Sequence, residues 1–411
     1  MSSSTPADAP AVLRRAWTTR RPVERAVPRR MVAVWAALFL NVLTFGSDPL
    51  QLFPVPGEIG QIITQGSLGL ALLLALVVNP RGVLRPNLFL VLLTLLGVVS
   101  LMVAVHSEYL FGSTYRACRF LGFLAVLWLL TPWWGRPDML LLRCHRRVLW
   151  WILGTVLLGA VVAPGVAFEF DGRLSGVIWP IPPTQVAHYA AVLVGSTALL
   201  WMCRVVTGRH AVVGIALSGF VLVATHTRTA LAAVAAGLVV ATASLFLGHV
   251  RVRRVSALGA VAAVVFTSVF ASELTTWALR GQTTQEASQL TGRTKVWSAV
   301  FEYQRPRIEQ WFGSGLSDMS FNGLPIDSNW VATYLDQGWL GLVVQATILL
   351  LLLLTAATRP RGPRRAVALF LVVYCLVSSI TETGLGIASS YVLDLAIAAS
   401  LLAPEPARRS T

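Results

Sequence analysis

The chain is short of charge, of lysine and of cysteine. Only 12% of its 411 residues are Asp, Glu, Lys or Arg, against about a quarter in soluble domains. That shortage excludes a water-soluble globular protein. Lys295 is the only lysine; every other basic side chain outside histidine is an arginine. The four cysteines, Cys118, Cys144, Cys203 and Cys375, have no metal-ligand spacing. They read as small apolar packing residues. There is no Asp-x-Asp motif and no His/Cys/carboxylate cluster on the loops, so neither a metal nor a cofactor is expected. Residues 1–30 lack the short apolar core and cleavage site of a signal peptide. They read as a disordered, arginine-rich cytoplasmic tail able to touch anionic lipid. The net charge of +15 does not point to nucleic acid, because the basic residues are scattered over short loops and form no contiguous patch.

What the sequence has is apolar length. It is 55% hydrophobic with a mean hydropathy of +0.70. Runs long enough to cross a hydrocarbon core recur throughout, at about 20 residues each. The expected spans are 31–46, 59–78, 87–105, 115–133, 147–165, 183–203, 211–225, 229–248, 255–271, 338–357, 365–381 and 384–402. The fold class is therefore all-α: a polytopic membrane helix bundle of about 12 transmembrane helices over 31–403, with a short cytoplasmic tail at 404–411. No internal repeat relates the first six spans to the last six.

Arginines orient the bundle. Seven lie in the tail, from Arg14 to Arg30. Arg81 and Arg85 follow the second span, Arg136 to Arg147 the fourth, and Arg204 and Arg209 the sixth. Arg251, Arg253 and Arg254 follow the eighth, Arg359 to Arg365 the tenth, and Arg408 and Arg409 the last. The odd connections are mostly acidic or neutral, as in GSDPLQLFPVPGE and SITETGLG. Both termini are thus expected in the cytoplasm of a cell that carries the protein as a multi-pass inner or plasma membrane protein. Arg116, Arg119, Arg173, Arg228 and Arg293 fall on the outer side, against this bias. Each therefore calls for another explanation, since an arginine at mid-bilayer costs about 3 kcal/mol on insertion scales.

One outer connection, 272–337, is long and not of low complexity. In TGRTKVWSAVFEYQ the residues Val296, Trp297, Val300 and Phe301 share one helical face, which reads as an amphipathic interfacial helix. FGSGLSD follows as a glycine turn. DSNWVATYLDQGWLG then reads as a short helix leading into the tenth span.

Three segments together resemble the O-antigen ligase and polymerase superfamily, membrane glycosyltransferases of the GT-C-like kind. They are DGRLSGVIWPIPPTQVAHYAAVL, THTRTALAAVAAG, and TGRTKVWSAV with the downstream GSGLSD and SNWVATYLDQGWLG. The resemblance covers about residues 110–345. It implies transfer of a glycan from an undecaprenyl-diphosphate donor to an acceptor hydroxyl on the outer face, without a metal. The partners are then a lipid-linked glycan, a glycan or lipid acceptor and the bilayer. It further implies that Arg228, with Arg116, Arg119, Arg173 and Arg293, holds the diphosphate, since guanidinium forks bind phosphate oxygens bidentately. Ser328 stands where ligases of the family carry a histidine. Asp327 is the nearest proton acceptor, and polymerase-like members carry an acidic residue around this point, which tilts the expectation towards a polymerase.

Each residue also has a plainer reading. Arg228 snorkels at the interface; Arg173 pairs with Glu169 or Asp171; Arg293 and Lys295 anchor a helix. Asp327 or Ser328 caps the helix that follows. His226, beside Arg228, is a second candidate base or an interfacial hydrogen-bonding group. His188 is a base or a buried bundle histidine. Asp394 is an intramembrane carboxylate paired with another side chain. Ser328, Asn329 and Trp297 are weaker candidates for contact with substrate. The rival class is a transporter or flippase of a lipid-linked or anionic envelope substrate, which twelve spans also suit.

Overall fold

The computed structural model describes residues 22–43, 56–106, 110–246, 248, 250–270, 272, 273, 276 and 293–405. The tail up to residue 21, most of the first outer connection, 277–292 of the long outer loop, and Arg408 and Arg409 lie outside the described residues.

The described chain is mostly helical, because apolar runs leave the backbone no partners but its own. Its helices are α1 (Pro22–Val42), α2 (Gly57–Val78), α3 (Leu88–Ala104), α4 (Leu110–Leu130), α5 (Leu140–Val162), α6 (Pro164–Ala167), α7 (Pro183–Met202) and α8 (Gly208–Ala224). They continue as α9 (Arg228–Phe246), α10 (Val250–Val269), α11 (Arg293–Glu302), α12 (Arg307–Phe312), α13 (Asn329–Thr358), α14 (Pro363–Ser378) and α15 (Ser390–Leu402). Each expected span falls on one of them. Seven of the helices are long and apolar enough to cross a membrane; α3, α8 and α15 are apolar but shorter. Several boundaries differ from expectation: α4 starts at Leu110 and not at 115, and α5 starts at Leu140 and not at 147, which takes Arg143 and Arg146 out of the expected connection and into the helix. Residues 22–30, expected in the tail, form the first turns of α1. The last span, expected from 384, is helical only from Ser390, because 379–389 is held in a loop by side-chain amides described below.

The core sits around α14, whose residues 366–375 are all buried. Helix α9 packs along α14, and α7 packs on α8, α9 and α14. Close approach depends on glycine: a Cβ at Gly195 of α7 would overlap the Phe370 ring, and one at Gly237 of α9 would lie 2.8 Å from it. Small residues at such crossings let helices without a hydrophobic drive pack by contact alone. The periphery is apolar and exposed, as at Leu73, Val161 and Val261, which suits lipid as the surrounding solvent.

Helix α13 contains a break where the sequence places the start of a span. Gly338 has φ 62° and ψ −161°, and a Cβ there would meet the Trp311 and Gln310 backbone at 2.5–2.7 Å. Only glycine fits both the conformation and the contact. The segment 329–337 is thus the short lead-in helix that the sequence suggests. The apolar face of α11 packs on it: Val300 is buried with Ile326, Val331, Ala332 and Leu335, and Val296 and Trp297 lie against them. Phe301, expected on the same face, is exposed but stacks on Tyr334 at 5.4 Å. A hairpin, β1 (Ser320–Phe321) with β2 (Leu324–Pro325), lies just before α13.

Candidate functional site

At one end of the bundle the end of α1, the starts of α2, α7 and α15, and the 379–389 loop enclose a cavity of about 420 Å³. Ligand pockets of small molecules start at about this size. Its walls are polar for a helical bundle: Asn41, Gln61, Thr64, Arg119, Gln185, His188, Glu382 and Tyr391 all line it. The wall is tied together by side chains reaching backbone. Asn41 Nδ2 donates to Thr64 O at 2.8 Å, and Gln185 Nε2 donates to Val42 O at 3.1 Å. Arg119 donates from Nε to Asn41 Oδ1 at 3.2 Å and from Nη2 to the Asn41 carbonyl.

The 379–389 loop is set by Asn329, the first residue of α13. Its backbone N–H donates to Ser379 O and Glu382 O, both at 3.0 Å. Its side-chain Oδ1 accepts from Gly384 N and Leu385 N at 3.2 and 2.8 Å, and its Nδ2 donates to Gln345 Oε1. Gln337 Nε2 adds a bond to Gly386 O at 3.0 Å. Thr381 Oγ1 donates to Thr229 Oγ1 at 2.8 Å, tying the loop to the start of α9, next to Arg228. These bonds satisfy the loop's backbone groups at Ser379, Glu382, Gly384, Leu385 and Gly386, and hold Glu382 against the cavity.

Glu382 is the acidic centre of this end. Burial pushes its carboxyl up to about 7; Arg293 and Arg173 pull it down, and Asp327 pushes it further up. Those four groups therefore lie within electrostatic reach of one another. Arg293 Nε donates to Asp327 Oδ2 at 3.1 Å. Arg173 reaches the turn before α9, donating from Nε to Thr225 O at 3.0 Å and from Nη2 to Thr227 Oγ1 at 3.1 Å. Burial lowers the Arg173 pKa, while Glu382 and Asp171 oppose that fall.

Of the residues singled out from sequence, Arg119 lines the cavity, and Arg173, Arg293 and Asp327 lie within electrostatic reach of Glu382. Arg228 opens α9 half-buried, and His226 precedes it in the left-handed region at φ 50°. Arg116 does not line the cavity; its charge acts on Asp318 and Asp336 as well as on Arg119. The i, i+3 spacing puts two arginines on one face, but α4 meets different loops a turn apart. Among the described residues Arg173 forms no ion pair with Glu169 or Asp171; its fork goes to the Thr225–Thr227 turn instead.

The expected cap of α13 is also different. Ser328 occupies the cap position but its side chain makes no capping bond, and Asp327 is committed to Arg293. The N–H of Asn329, one of the first-turn donors of α13, bonds to carbonyls of the 379–389 loop. Asn329 and Ser328 are buried, and Asn329 spends its side chain within the protein. Trp297, on α11, packs against the cluster that includes Val331, Ala332 and Leu335 of α13.

Among the described residues Asp394 pairs with two histidines and with no arginine. Its Oδ1 lies 2.8 Å from His145 Nε2 and its Oδ2 lies 3.0 Å from His188 Nε2. Trp35 Nε1 donates to His145 Nδ1 at 3.1 Å, which leaves the proton of a neutral His145 on Nε2. His188 Nδ1 lies 3.1 Å from Tyr374 Oη. Sequence reasoning missed His145 and Glu382. His145 lay among basic loop residues, and Glu382 was one acid in a short connection. Among the described residues, no three or more His, Cys, Asp or Glu side chains form a group able to hold a metal ion. Comparison with family models and with curated protein sequences returns no match.

Proposed function

We propose that the protein is a membrane glycosyltransferase that moves a glycan from a polyprenyl-diphosphate donor, of the undecaprenyl kind, to an acceptor hydroxyl. In this reading the twelve apolar helices cross the membrane, both termini are cytoplasmic, and the cavity opens outward. The observation that carries it is a polar cavity lined by Arg119 and by Glu382, a carboxylate within electrostatic reach of Arg173 and Arg293. All lie on segments that the arginine alternation assigns to the outer side. Guanidinium groups so held are suited to the charge that grows on a leaving diphosphate. Charge-assisted hydrogen bonds of this kind contribute about 1.5–3 kcal/mol each. The resemblance of the loop motifs to lipid-linked glycan polymerases and ligases supports the same chemistry.

The test is transfer by purified protein in nanodiscs supplied with undecaprenyl-diphosphate oligosaccharide, with Arg173→Ala and Arg228→Ala alongside. Glycans lengthened by wild type and not by the variants support a polymerase. Single transfer to a different acceptor supports a ligase. One observation favours the transporter reading: the buried His145–Asp394–His188 column runs through the bundle interior. Donor that stays intact but crosses the bilayer of proteoliposomes would replace transfer with transport.

A further inference from the structure

A hydroxyl that attacks at this cavity must give up its proton. His188 and Asp327 are poorly placed to take it. Both ring nitrogens of His188 are engaged, Nδ1 with Tyr374 and Nε2 with Asp394, so the ring presents only carbon edges to the cavity. Asp327 is held by Arg293 and is partly open to solvent. Glu382 differs from both. It lines the cavity, and among the described residues its carboxylate makes no hydrogen bond or ion pair. Its backbone is pinned on both sides: its N–H donates to Ser378 O at 2.9 Å, and its carbonyl accepts from Asn329 N at 3.0 Å. A carboxylate with no such partner, on a backbone held from both sides, thus borders the cavity.

Resting on the glycosyl-transfer reading, we propose that Glu382 is the proton acceptor for the attacking hydroxyl. The acceptor O–H bond breaks and its proton passes to a Glu382 oxygen. The electron pair of the acceptor oxygen forms the new bond to the anomeric carbon. The anomeric carbon–oxygen bond to the diphosphate breaks, and its pair leaves on the diphosphate, facing the arginines. No atom is oxidised or reduced, and the proton returns to water. The charged and titratable groups around Glu382 come from every neighbouring element: Arg119 from α4, Arg173 from the loop after α6, His188 from α7, Arg293 from α11, Asp327 before α13 and Tyr391 from α15. Burial raises the Glu382 carboxyl to about 7, and a base is most effective when its pKa lies near the working pH. Asn329 acts as a positioning residue, since it holds the loop and touches no substrate.

The experiment compares wild type, Glu382→Gln, Glu382→Asp and Asp327→Asn in nanodiscs with undecaprenyl-diphosphate oligosaccharide and an oligosaccharide acceptor. Donor binding and transfer are followed separately from pH 5 to 9. Wild-type transfer should rise with pH through a limb near the Glu382 value of about 7. Glu382→Gln should bind donor within about threefold of wild type, transfer about 100-fold more slowly and lose that limb. Glu382→Asp, a carboxylate one methylene shorter, should keep part of the rate and the limb. The proposal is overturned if Glu382→Gln transfers at the wild-type rate, or if the limb survives there and vanishes in Asp327→Asn. If wild type itself transfers nothing, the glycosyl-transfer reading fails, and this role fails with it.

Discussion

At the scale of the residue, Asp327 and Glu382 are two carboxylates near one arginine with different duties. Asp327 is bonded to Arg293, while Glu382 faces a cavity with no bond to its own oxygens among the described residues. The groups that make this difference are amides. Replacing Asn329 with alanine leaves the N–H groups of Gly384 and Leu385 without their acceptor. Each such buried orphan costs about 1–3 kcal/mol, so the unfolding midpoint in detergent should fall and donor transfer should weaken. An unchanged midpoint would sink the clamp. Arg173 offers a second check. Its fork spans Thr225 O and Thr227 Oγ1, and lysine has the charge without the fork. Titration with lipid-linked donor should show binding about 10- to 100-fold weaker for Arg173→Ala, with Arg173→Lys falling between it and wild type. Equal affinity in all three would remove Arg173 from the donor site.

At the scale of the element, helices follow apolar runs, and most of this fold could be read that way. The lead-in helix before Gly338 and the packing face of α11 were both legible, because turn glycines and a 3.6-residue period are local signals. The loop 379–389 was not. It lies between apolar stretches, and its non-helical course depends on Asn329 and Gln337, which are distant in sequence. The burial of Glu382 has the same origin, so no local pattern could mark it. The first two helices also supply Asn41, Gln61 and Thr64 to the cavity, although the motif resemblance begins only near residue 110. The Asn322–Gly323 turn of the small hairpin, with both φ values positive, carried a signal that went unread.

The Phe370 wedge makes a prediction at this scale. Gly237→Ala places a methyl 2.8 Å from the ring, and overpacking of this sort costs about 1–3 kcal/mol. Phe370→Leu should relieve part of that cost in the double variant. Unfolding in detergent measures the coupling, and additivity within about 0.5 kcal/mol would refute it.

At the scale of the whole molecule, the alternation of arginines predicts sidedness. In a cysteine-free background, Thr383→Cys should react with a membrane-impermeant maleimide added to intact cells. Gly362→Cys, in the arginine-rich connection before α14, should react only after permeabilisation. The reverse pattern would invert the bundle and move the cavity to the cytoplasm.

The shortness of α15 has an electrical consequence. Thirteen residues at 1.5 Å each cover about 20 Å, where the hydrocarbon core measures about 30 Å. In the proposed topology the insulating layer next to the polar loop is therefore thin, and the membrane voltage drops over a shorter path. An anion bound at the cavity floor then sits inside part of that drop. A full crossing is worth about 2.3 kcal/mol per charge per 100 mV, so even a modest fraction would tie occupancy of the site to the energised state of the cell.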